Sequence, residues 1–159
     1  MSSTGLEVFD KTIQTTNTWL NDIAEDLGPD RQRCYHALRA VLFALRDRLT
    51  VDEAADLSAQ LPMLIRGIFY EGYRPSIMPQ RIRSRDEFLA KVNEHLQNIR
   101  PIGAEEAARA VFRVLEKRIP AGELNEVKQM LPPEIRALFP AAQAAEGNTG
   151  QQAQQPAQR

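Results

Sequence analysis

Displacing the chain against itself by 70 residues brings 37–70 onto 107–140 without a gap, and 12 of the 34 superposed positions are identical. Roughly two identities are expected by chance in such a self-comparison. The identities are Ala37 with Ala107, Arg39 with Arg109, Ala40 with Ala110, Val41 with Val111, Leu45 with Leu115 and Arg48 with Arg118. They continue as Glu53 with Glu123, Leu61 with Leu131, Pro62 with Pro132, Ile65 with Ile135, Arg66 with Arg136 and Phe69 with Phe139. A one-residue slip extends the likeness upstream, pairing Trp19, Leu20, Ile23 and Leu27 with Phe88, Leu89, Val92 and Leu96. A unit of about 70 residues buries only a thin core alone, whereas two stacked units cover each other's apolar stripes. The expected fold is all-α: two pseudo-symmetric helical repeats packed into one bundle over 1–140, with repeat one at 5–72, a connector at 73–84 and repeat two at 85–140.

Apolar spacing inside each half supports helix throughout. Leu6, Phe9, Ile13, Leu20, Ile23 and Leu27 fall on one stripe, with Trp19 beside it, Gly28 as a stop and Ser2, Ser3 or Thr4 as a cap. Cys34, Ala37, Leu38, Val41, Leu42, Leu45 and Leu49 mark a second, core helix. Thr50 with Glu53, and Ser84 with Glu87, have capping-box spacing, in which hydroxyl and carboxylate each satisfy a backbone N–H at a helix start. Pro62 lacks an N–H and begins a fresh short helix ended by Gly72. Phe88, Leu89, Val92, Leu96 and Ile99 form the next stripe, followed beyond Pro101 and Gly103 by Ala107, Ala110, Val111, Val114, Leu115 and Ile119. A shorter helix over 121–131 and the PPEIRALFP turn complete the second half. Residues 141–159 hold no bulky apolar group, so this tail is expected to be disordered.

Composition narrows the function classes. Lys and Arg total 20 against 21 Asp and Glu, so no overall field draws the molecule to nucleic acid or an anionic membrane. A single cysteine, Cys34, excludes an intramolecular disulfide framework, and no cationic start followed by an apolar run marks a signal peptide. A reducing, cytoplasmic location is expected. No apolar run approaches the roughly 20 residues of a membrane-spanning helix, so no membrane partner is expected.

The order RAVLFALRDRL then EAADLSAQLPMLIRGIFYEGY, preceded by an FD..I..T..WL helix and followed by DEFLAKV, resembles the bacterial domain-of-unknown-function 2267 family over most of 5–140. The resemblance implies paired long helices and the QLP corner. It implies no catalytic motif. In the second half the corner reads MLPPEIRALFP, so Gln60 has no counterpart at Met130.

Catalytic and metal chemistry find little to stand on. Zinc sites draw on several Cys and His ligands, and here there are Cys34, His36 and His95 only. Cys34 on an apolar face reads as a small buried hydrophobe rather than a nucleophile. Asp22, Glu25 and Asp26, and likewise Asp52, Glu53 and Asp56, read as solvated helix faces or favourable charge at a helix start, with acid–base or hard-cation chemistry as the alternative. No catalytic residue, metal ligand or cofactor is expected. The repeated charges Arg39, Arg48, Glu53, Arg109, Arg118, Glu123 and Arg136 read as structural, either interhelical ion pairs or guanidiniums on helix-terminal carbonyls, with a pair of anion sites as the alternative.

The connector is the most distinctive surface. Arg74, Arg81, Arg83 and Arg85 are interleaved with Tyr73, Pro75, Ile77 and Met78, and 73–85 holds no acid. Its bland reading is a solvated linker. With Arg66, Phe69 and Tyr70 behind it, the segment is expected to meet another protein, making the chain a non-enzymatic interaction or regulatory module. Nucleic-acid or anionic-ligand binding through the same strip is the alternative, and an enzyme without a recognisable motif the third.

Overall fold

The computed structural model describes residues 3–96 and 102–141, so the tail at 142–159, Ile99 and Ser2 lie outside the described residues. Among the described residues every regular element is helical: α1 (Glu7–Leu27), α2 (Arg31–Arg48), α3 (Val51–Ala59), α4 (Met63–Tyr70), α5 (Arg85–His95), α6 (Ala104–Arg118), α7 (Ala121–Met130) and α8 (Pro133–Arg136). A 3-10 turn, Pro75–Ile77, interrupts the connector.

Helix α2 is the centre, packing against α1, α4, α5 and α6. That position explains why its burial goes beyond the expected stripe. Ala40, Phe43, Ala44, Arg46 and Asp47 are buried as well, because neighbours cover the helix on several sides. Alanines on α2 and α6, among them Ala37, Ala40, Ala107 and Ala110, are 0–2 % exposed at the helix contact. In addition α1 packs on α6, α5 on α6, and α3 on α7.

The starts and stops follow local chemistry. Gly28 ends α1 at φ +89°, a conformation that side-chain-bearing residues rarely adopt, and its N–H donates to Ala24 O. Asp30 caps α2 by accepting from the N–H groups of Gln32 and Arg33. Thr50 and Glu53 form the full capping box. Ser84 forms half of one, since Glu87 Oε2 accepts the N–H of Arg83 instead of Ser84. No hydroxyl caps α1 directly. Thr4 Oγ1 accepts the N–H of Leu6 and donates to Asp10.

After each Leu-Pro corner the chain returns to the core. Ile65, Phe69 and Ile135 are 0 % exposed and Phe139 is 4 %. Phe139 stacks on Phe112 at 4.0 Å and 9°, and Phe112 meets Phe88 at 5.7 Å. The α1 stripe is the exception. Leu6, Phe9 and Ile13 stay exposed because the first turns of α1 project along α4, and burial begins at Thr16. Helix α4 reaches α1 through a polar bond, Leu64 N donating to Thr12 Oγ1 at 3.0 Å.

Candidate partner surface on the connector

The last turn of α2 holds the connector in place. Arg46 is buried, and its guanidinium donates to Phe69 O at 2.8 Å, to Glu71 O at 2.6 Å and to the buried carboxylate of Asp47 at 3.1 Å. Two of these acceptors are carbonyls at the C-terminal end of α4, which no intrahelical N–H can satisfy. The same guanidinium lies 4.1 Å from the Phe43 ring centroid and 5.5 Å from that of Tyr73. Asp47 O accepts the N–H of Gln80 at 2.7 Å, and Arg48 Nε donates to Ile82 O at 2.8 Å. Ile82, 2 % exposed, anchors the far end in the core. On either side of the buried Ile82, Arg81 and Arg83 are exposed.

The candidate residues divide accordingly. Arg74, Arg81 and Arg83 are exposed, and their guanidiniums have no hydrogen-bond or ion-pair partner among the described residues. Ile77 stands among them, 49 % exposed. Arg85 is half-buried and paired with Glu105, while its N–H donates to Glu134 Oε2 at 2.8 Å, so it joins α5 to α6 and α8. Tyr70 donates to Ser58 Oγ at 3.1 Å, and its ring contacts those of Phe69 and Tyr73. The Tyr73 hydroxyl is buried without a hydrogen-bond partner among the described residues, and burial pushes its pKa up. Both tyrosines support the connector from below. Arg66 donates to Ser58 O at 2.8 Å and Leu61 O at 3.0 Å, closing the end of α3.

Of the repeated charges, one pair shares a geometry. Arg136 donates to Lys128 O and Leu131 O, both at 3.0 Å, the positions 70 residues beyond the Arg66 acceptors. The others diverge. Arg39 meets Glu71 at 3.3 Å, whereas Arg109 meets Glu105 at 3.0 Å one turn away on its own helix. Arg48 holds Ile82 O, whereas Arg118 holds Asp22. Glu53 closes a capping box, but Glu123 cannot, because Pro120 replaces Thr50 at the cap and offers no hydroxyl.

The acidic cluster of α1 corrects a sequence expectation. Asp22 is buried, not solvated, and it accepts from Lys117 Nζ at 3.2 Å and Arg118 Nε at 2.7 Å. Arg113 adds Asp26 at 2.6 Å and Glu25 at 3.3 Å. Burial alone would raise the Asp22 pKa, but the hydrogen bonds and positive charges of Arg118 and Lys117 outweigh it and hold the carboxyl below its ordinary range. The cluster clasps α1 to α6. Cys34 is 1 % exposed, its thiol donates to Gly28 O at 3.5 Å, and burial pushes its pKa up. His95 sets its ring edge-on to Phe43 at 5.2 Å, and burial lowers its pKa.

Sequence reasoning missed Arg46 and Asp47. Their signal is a charged pair directly behind the apolar run Val41–Leu45 and before Leu49, so that the pair continues the buried stretch of α2.

No helix among the described residues is long and apolar enough to cross a membrane. A comparison with curated proteins finds no match. The family model described as an uncharacterized conserved protein, DUF2267, matches residues 16–138, a span running from within α1 to the turn after α8. The chain belongs to the domain-of-unknown-function 2267 family.

Proposed function

We propose that the protein is a non-catalytic interaction or regulatory module of the cytoplasm, and that its connector is the contact surface for another protein. One observation carries this reading: Arg74, Arg81 and Arg83 project, with no ion-pair partner for their guanidiniums among the described residues, from backbone that Arg46, Arg48 and Ile82 hold in place. A fixed display of unpaired guanidiniums around an exposed Ile77 suits an acidic protein surface with an apolar contact, since little conformational freedom is lost on binding. Cys34 and His95, two of the groups with nucleophilic or acid–base potential, take up packing roles, which favours binding over catalysis. Nucleic acid is the second reading, favoured by the same guanidiniums. It gains no stacking platform from Tyr70 and Tyr73, which lie under the connector.

The scaffold, on this proposal, is two related halves joined about a pseudo-two-fold axis. Support comes from the matching carbonyl bonds of Arg66 and Arg136 and from reciprocal packing, in which α1 meets α6 while α5 meets α2.

The test is affinity capture on the intact protein and on the Arg74→Gln/Arg81→Gln/Arg83→Gln variant, each with and without nuclease. Protein partners retained after nuclease and lost in the variant are expected. Equal recovery on wild type and variant refutes the assignment, and loss of every partner on nuclease treatment transfers it to nucleic acid.

A further inference from the structure

Nine large apolar side chains stand exposed among the described residues, and six of them gather at one end of the molecule: Leu6, Val8, Phe9 and Ile13 at the start of α1, and Met63 and Leu64 at the start of α4. Phe9 and Ile13 line an open trough with Met63, Leu64 and Ile68, and Gly67 lies along it. We propose that this trough is a self-association surface, in which the α1 ridge of one copy enters the α1/α4 trough of a second copy about a two-fold axis.

Three observations favour a second copy as the occupant. The first is area. Six such residues, each 38–58 % exposed, make an apolar patch on the order of 500 Å², at the upper end of what monomers carry. A specific interface of standard size buries about 800 Å² on each partner, and at the roughly two-thirds apolar share of homodimer contacts that is about the area this patch offers. The second is shape. The patch offers both a ridge, the Leu6, Phe9 and Ile13 stripe, and a trough whose side at Gly67 is open, with no atom within 4 Å of an added Cβ. An isologous contact needs both features on one surface.

The third is charge. A two-fold axis sets like against like, so a self-associating patch must be close to neutral. Among the described residues Glu71 is the only charged one lining the trough, and it is paired with Arg39, while along the α1 ridge the acids Glu7 and Asp10 are partly offset by Lys11. The hydroxyls of Thr4 and Thr12 are engaged inside the molecule, with Asp10 and the N–H of Leu64. The tail at 142–159 contains no apolar side chain larger than alanine or proline.

Sedimentation of the full chain from low micromolar to several hundred micromolar tests the proposal. Wild type is expected to pass from the 17.9 kDa monomer to twice that mass. Phe9→Glu/Leu64→Glu, at positions exposed in the monomer, is expected to weaken association by roughly 100-fold or more, since each copy would bury unpaired charge. Gly67→Gln fills the trough while favouring helix, and it is expected to weaken association with helicity unchanged by circular dichroism. The Arg74→Gln/Arg81→Gln/Arg83→Gln variant is expected to associate as wild type does. A wild type that stays monomeric across the range overturns the proposal, including one that instead binds an added amphipathic helical peptide. Undiminished association of both trough variants, or association lost in the connector variant, overturns it equally.

Discussion

Replacing Arg46 by Met removes the centre of the connector's support while keeping much of its volume. The guanidinium makes three hydrogen bonds, to Phe69 O, Glu71 O and Asp47, and covers the ring of Phe43. Its loss leaves the Asp47 side chain, 8 % exposed, as an unpaired buried carboxylate. Removing one partner of a buried ion pair costs about 3–5 kcal/mol, mostly because the other charge is left without compensation. We therefore expect Arg46→Met to lose about 4 kcal/mol in urea denaturation, or about 12 °C in Tm for a domain of this size. Exchange of the Gln80 amide, bonded to Asp47 O, should quicken in the same variant. If the loss is mainly the stranded charge, Arg46→Met/Asp47→Leu should recover roughly half of it, since a buried pair replaced by apolar groups is often near neutral. A single-variant loss below about 1 kcal/mol would refute the buried clamp, and a double variant as unstable as the sum of the two singles would refute the coupling.

Other consequences can be measured on the same protein. Phe69→Ala and Phe139→Ala should each cost about 3–5 kcal/mol by chemical denaturation, because both rings are buried and the second also loses its stack on Phe112. Arg66→Ala and Arg136→Ala should have similar effects, about 1–3 kcal/mol each, since the two guanidiniums bond equivalent carbonyls; unequal losses would separate the two corners. The folded-state pKa of Asp22 is depressed, so its stabilisation is complete above the ordinary carboxyl value of 3.8 and is lost as pH falls through the folded value. Asp22→Asn should be less stable at neutral pH and flatter in acid, which a series of melts across that range reads directly. His95 is a base with a lowered pKa, so below its ordinary 6.5 the unfolded chain takes up a proton that the folded chain refuses. Stability should decline from that point downward, and His95→Gln should flatten the decline.

The helices were legible because their signals are local. Thr50 with Glu53 predicted a cap that forms, and Pro62 predicted a break at which α4 begins. The burial of Ile65, Phe69, Ile135 and Phe139 followed from their place after the Leu-Pro corners. Tertiary choices were not legible. Leu6, Phe9 and Ile13 keep helical spacing with Leu20 and Ile23, yet periodicity cannot state how far along a helix its neighbours extend. Asp22 and Asp47 look like surface carboxylates until α6 and the connector are laid against them. The connector strip was legible as charge but not as partnership, since nothing local distinguishes Arg85, which meets Glu105 from a distant helix, from Arg81 and Arg83.

The most direct measurement of the connector's role is site-specific photo-crosslinking in living cells, with a photoreactive residue substituted for Ile77 and, as a control, for Gln129 on the exposed face of α7. The account predicts a discrete protein adduct from position 77 that disappears when Arg81→Gln and Arg83→Gln are added, and none of that mass from position 129. The same adducts from both positions, or an adduct at 77 that persists without the arginines, would contradict it.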